Sequence, residues 1–253
     1  MTGNGNQPVL VVVQLSGGND FLNTLIPYTN PVYYDVRKNV GIPQDQAIPI
    51  NDTLAFHPQA GPLKKMFDDG DVAVIQGIGY ENSSRSHFRA MDIWHTCEPD
   101  KIGTEGWLGR AIRELDPKKD NVLTGVNFGR GLPRALSAPG VPISSVGDLD
   151  NYGLMTGIEA QHRKEALGIF KDMYAPAIGS GPVMDYLSQT GNDVLKEADI
   201  LKQAPANYSS SIEYADNSIA KNLRDIARVH LAGLGTRIFY ANHGGYDNHA
   251  NEY

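Results

Sequence analysis

The sequence predicts an α/β protein, a doubly wound and mainly parallel sheet flanked by helices. Three observations predict it. Apolar runs rich in β-branched residues, VLVVVQL at Val9–Leu15 and VAVIQ at Val72–Gln76, have the near-continuous apolar character of strands buried on both faces. Such runs alternate along the chain with segments whose apolar residues recur at helical spacing. Three of them break at glycines, in SGGND (Ser16–Asp20), GIGY (Gly77–Tyr80) and NHGGYDNH (Asn242–His249). Open parallel sheets bind ligands just beyond such strand ends.

The elements follow in order. After the first strand, Leu63, Met66 and Phe67 mark a short helix that leads into the second run at Val72–Gln76. A helix from about Ser86 to Thr96 is expected to bury Phe88, Met91 and Trp94, which recur every three residues. Trp107, Leu108, Ala111, Ile112 and Leu115 mark another helix. Val122–Phe128 and Val141–Val146 read as strands joined by a Pro/Gly-rich connection. Ile158 to about Leu201 is helical in pattern, and residues from about 147 to 201 suggest a helical insertion. A longer helix from about Asp216 to Leu234 places Ile219, Leu223, Ile226, His230 and Leu234 on one stripe. Thr236–Ala241 closes the series as a strand. The whole is expected to form one domain.

Composition narrows the function. With 41% hydrophobic and 20% charged residues the chain can bury a core. Its net charge of −7 argues against a general nucleic-acid binder, which needs a basic face. The lone Cys97 allows neither an internal disulfide nor a thiolate metal site, and reads as a half-buried structural thiol. The apolar run at Val9–Val13 is too short for a signal core or a membrane span, so the expectation is a cytoplasmic protein, with export open if an N-terminal segment precedes it.

Three polar stretches follow strands. In the first, Gly17 and Gly18 permit a sharp turn and Asp20 offers a hard oxygen ligand, although a plain turn capped by Asp20 explains the same residues. No Gly-Lys-Ser/Thr follows, so it is not a phosphate-binding P-loop. In the second, ENSSRSHF (Glu81–Phe88), Ser86 sits at a helix start, where it either caps the helix or serves as a nucleophile beside an anion. Arg85 and His87 flank it and would add positive charge for an anionic substrate. A serine needs a base or a metal to attack at neutral pH, and adjacent helical residues point apart, which favours a metal over His87. In the third, Asp247 and His249 combine carboxylate and imidazole, a set that suits zinc or manganese better than calcium.

QLSGGNDFLNTLIPY (Gln14–Tyr28) with the following tyrosines and Arg37, NSSRSHFRAMDIW (Asn82–Trp94) and HGGYDNHANE near the end resemble, in order, the DUF1501 family. These proteins are similar to the alkaline phosphatase and sulfatase superfamily. The resemblance implies an alkaline phosphatase-like core and a metal-assisted hydrolase site acting on a small-molecule phosphate or sulfate ester. It makes Ser86 the nucleophile, Asp20, Asp247 and His249 metal ligands, and zinc the first candidate for two ions. The family's further ligands, in a Ser-Glu-Phe-Gly-like and an Asp-His-Gly stretch, are absent from the sequence. Two ions held roughly 3.5–4 Å apart need more ligands than three. The expectation is therefore a family member incomplete at its C-terminal side and short of full activity. The alternative is a non-catalytic metal- or ligand-binding protein of the same fold. A dinucleotide-binding oxidoreductase ranks below both, because Gly-x-Gly-x-x-Gly is missing.

Overall fold

A computed structural model describes residues 7–152, 158–173 and 208–248, with single positions between 181 and 204. Two compact units divide them. The first runs up to Gln14 and from Ser84 to His243; the second runs from Leu15 to Ser83 and takes up again at Gly244.

The first unit is built on a four-stranded parallel sheet, β1 (Leu10–Leu15), β5 (Gly125–Phe128), β6 (Ser144–Val146) and β7 (Ile238–His243), in the order β1-β7-β5-β6. β5 pairs in parallel with both neighbours, Val126 facing Ser144 on one side and Phe239 on the other. Among the described residues, α4 (His87–Thr96), α5 (Trp107–Leu115), α6 (Ala160–Met173) and α7 (Ser218–Leu231) accompany it. Side chains alternate across the strands. On one face Val126, Phe128, Phe239 and Ala241 pack with Ile226 and Val229 of α7. On the other, Ile238, Tyr240 and Val12 pack with Leu108 and Ile112 of α5. Gly125 faces that second layer, where a Cβ would come within 2.4 Å of Ile112 Cδ1, so glycine there lets α5 lie close to the sheet.

The second unit holds a three-stranded antiparallel sheet, β2 (Leu25–Ile26), β3 (Ile48–Pro49) and β4 (Ala55–Phe56), in the order β2-β4-β3. Its helices are α1 (Phe21–Thr24), α2 (Pro31–Val36) and α3 (Gly61–Asp68). Asn30 caps α2 by accepting from Val32 N–H at 3.0 Å, with Pro31 in the first turn. Tyr33 is the buried centre: its hydroxyl donates to Asn23 Oδ1 (2.6 Å) and accepts from Ile42 N–H (2.8 Å). Phe56 and Phe67 meet edge to face at 5.8 Å.

Several expectations need correction. Val72–Gln76 forms no strand; Asp71–Tyr80 is irregular, with Ile75 and Ile78 exposed. Its β-branched composition suits a strand, but a strand also needs a backbone partner. β1 is not buried on both faces: it lies at the sheet edge, Val12 packs inward, and Val11 and Val13 stay about 40% exposed. On α4 the expected stripe is turned outward. Phe88 is 91% exposed and Trp94 half exposed, while Ile93 and Thr96 are buried. An ion-pair cluster fixes this rotation: Asp92 accepts from Arg89 (2.9 Å) and from Arg134, which also donates to Gly103 O. Arg134 is thus a structural tie. On α7 the buried positions are Asp225, Ile226 and Val229, whereas Leu223 and His230 are exposed. Asp225 is held there by Arg228 at 3.0 Å, which also reaches Asp150 at 2.6 Å. Cys97 is exposed, in left-handed conformation (φ 55°) at the end of α4. The expected insertion contributes α6, with Leu201 and Ala204 buried in the core beside α7; most of its remainder lies outside the described residues. Among the described residues no helix is long and apolar enough to cross a membrane.

Candidate functional site

The second unit brings two of the three glycine-bearing stretches together. Gly17 and Gly18 both adopt positive φ, 113° and 90°, which side chains rarely tolerate. The turn they make lies directly against the Gly244–Asp247 loop. Tyr246 N–H donates to Ser16 O at 3.4 Å. A Cβ on Gly17 would fall 2.3 Å from Asp247 N and 2.8 Å from Asp247 Cβ, so only glycine lets the loops touch. Residues 17 and 247, far apart in sequence, thereby flank one seam.

Asp20 occupies the N-cap position of α1 but makes no capping hydrogen bond with its side chain. Its carboxylate instead pairs with the Arg37 guanidinium through Oδ2. Arg37 is held above the Tyr33 ring, 6.0 Å from its centroid. Its Nε is buried with no hydrogen-bond partner among the described residues, an orphan donor beside the candidate ligand. A carboxylate has acceptor capacity for an arginine and a cation together. Asp247 is exposed, and His249 lies outside the described residues.

Ser86, Arg85 and His87 belong to the first unit and are exposed at the start of α4. Ser86 is the N-cap: its Oγ accepts from Arg89 N–H at 3.5 Å, and its own N–H donates to Ser84 Oγ at 3.1 Å. The capping reading of Ser86 is therefore realised. At 3.5 Å the cap is long, and the hydroxyl keeps lone-pair capacity.

A polar cluster that the sequence reading passed over sits at the far end of α4. Gln14 Oε1 lies 2.7 Å from His95 Nε2 and accepts from the Tyr240 hydroxyl. Tyr240 is 2% exposed, and burial pushes its hydroxyl up to about 12. Burial lowers the His95 imidazole from its ordinary value, the Arg134 charge lowers it further, and Asp92 opposes them. The available signal was Gln14 itself, the one polar residue in VLVVVQL.

The lowered imidazole gives a pH prediction. Below the ordinary histidine value of 6.5 the unfolded chain takes up a proton that the folded chain resists. The stabilisation from a neutral His95 is full above that value and is lost as pH falls toward the folded one. Urea midpoints at pH 7.5 and about 5.5 should therefore differ less in His95→Gln than in the parent protein.

Asp20 and Asp247 carry carboxylate oxygens, the donor type of a divalent cation, on loops that meet at Gly17. Among the described residues no three His, Cys, Asp or Glu side chains form a group able to hold an ion. No protein-family model, curated protein or solved structure matches the chain.

Proposed function

We propose that the chain carries the site of a metal-dependent hydrolase of phosphate or sulfate esters, of the DUF1501 and alkaline phosphatase-like kind. The observation that carries this reading is the contact of Gly17 with Asp247, which joins the Asp20 loop to the loop of Asp247 and His249. Asp20, Asp247 and His249 would hold the ion, zinc first and manganese or calcium after it. Bound there, a divalent ion lowers the pKa of a hydroxyl and stabilises negative charge on a leaving oxygen. Ser86 would form a bond to phosphorus or sulfur as the ester oxygen departs, and water would then release the acid. The α4 N-terminus and Arg85 would attract the anion, with His87 beside them. Two ions need more ligands than these three, so turnover should be slow.

The second reading, a non-catalytic binding protein with the same fold, is favoured by one contact. Asp20 is already neutralised by Arg37, as a structural carboxylate would be.

Hydrolysis of 4-nitrophenyl phosphate and 4-nitrophenyl sulfate with added zinc separates the two. The hydrolase reading expects slow, zinc-dependent release of nitrophenol that Ser86→Ala abolishes. Loss of the cap alone costs only about 0.5–2 kcal/mol, so the variant should remain folded. Release that Ser86→Ala leaves unchanged, or none at saturating zinc, would favour the binding protein.

A further inference from the structure

We propose that Gln14, His95 and Tyr240 form a positioning triad that fixes β1, α4 and β7 to one another through a single acceptor, Gln14 Oε1. The three residues lie far apart in sequence, 81 and 226 positions from Gln14 to its partners. Each belongs to an element that carries one of the three polar stretches. Gln14 immediately precedes Leu15 and the SGGND turn, His95 lies on the helix that starts at Ser86, and Tyr240 stands three residues before His243. The role is independent of the ester-hydrolase reading.

Packing alone does not call for these residues. Tyr240 packs with Val12, Ile238, Leu108 and Ile112, an apolar layer in which phenylalanine would serve. A buried tyrosine hydroxyl needs an acceptor, and here the amide oxygen meets both that hydroxyl and the imidazole. An acceptor shared in this way requires His95 to carry its proton on Nε2, leaving Nδ1 as an acceptor. The charged groups facing His95 are Arg134, which donates to Asp92 and to Gly103 O, and Asp92 itself. One hydrogen-bonded unit therefore sets the register of two strands and the axial position of a helix. Dispersion contacts define such placement less sharply, because hydrogen bonds are directional.

The test uses the full chain and three variants: Gln14→Leu, Tyr240→Phe and the conservative Gln14→Glu. Long-range ¹H–¹⁵N correlation of the imidazole reports the His95 tautomer. The triad predicts Nε2–H in the parent protein and in Gln14→Glu, and a mixture of tautomers in Gln14→Leu. Hydrogen exchange followed by mass spectrometry reports placement. Tyr240→Phe should raise exchange at least tenfold in peptides covering the ends of β1 and β7 and the body of α4. Peptides from β5 and β6 should be unchanged. Gln14→Glu should restore most of the protection that Gln14→Leu loses. A parent imidazole protonated on Nδ1, or an exchange increase spread evenly over the unit, would overturn the proposal. If Gln14→Leu does not fold, Tyr240→Phe and the parent tautomer still decide it.

Discussion

Phe239→Ala should lower the thermal midpoint of the parallel-sheet unit by about 6–20 °C. Phe239 is fully buried in the middle of β7, 6.4 Å from the Phe128 ring and 6.4 Å from the His230 ring. It seals the sheet face covered by Ile226 and Val229. Truncating a buried phenylalanine costs about 3–5 kcal/mol, from lost transfer energy and the cavity left behind. In a protein of this size each kcal/mol moves the midpoint by about 2–4 °C. Phe239→Leu keeps most of the volume and should lose far less. Differential scanning calorimetry of both variants measures the difference; equal losses would mean that this face is not close-packed.

Gly17→Ala should have the second large effect, on the seam rather than on the core. The new methyl group would lie 2.3 Å from a backbone nitrogen, and φ is 113°, so neither the side chain nor the backbone can accommodate it. The loops of Asp20 and Asp247 must part, and if they hold zinc as proposed, its affinity should fall at least about tenfold, since loss of the supports that orient metal ligands typically costs about 10–100-fold. Gly18→Ala is the control. Its φ is also positive, 90°, but nothing lies within 4 Å of the added carbon. Zinc titration calorimetry on the pair checks this: equal effects would mean that turn strain alone, not contact with Asp247, sets the requirement for glycine at 17.

Much of the first unit was legible in the sequence because its signals are local. β1, β5, β6 and β7 all fall within or beside runs of apolar residues, and α4, α5 and α7 within helical spacings. What the sequence misjudged is which way these elements face. The Phe88, Met91 and Trp94 spacing is a good helical stripe, yet the Asp92–Arg134 pair turns it outward. Ion pairs between residues 42 positions apart leave no local trace. Val72–Gln76 shows the converse: strand composition is present, but the pairing that makes a strand is not local. The antiparallel sheet of the second unit was missed because each strand is two residues long and carries no alternation.

The candidate site divides in the same way. The glycine pairs were visible, and the resemblance made Asp20 and Asp247, which follow them, candidate ligands. That Gly17 touches Asp247 could not be seen, since it depends on the approach of two loops more than 200 residues apart. Arg37 was noted only as part of a resemblance, although it neutralises Asp20. Gln14 and His95 left no joint signal, because they meet only through the approach of elements 81 residues apart.

The most direct measurement is zinc binding by titration calorimetry on the parent chain, Asp20→Asn and Asp247→Asn, all in metal-free buffer. If the two loops form a metal cradle, the parent should bind zinc at a defined stoichiometry. Each variant should then bind at least about tenfold more weakly, with its fold retained. A parent chain that binds no zinc, or that binds it equally well without either carboxylate, would contradict the cradle and the hydrolase site built on it.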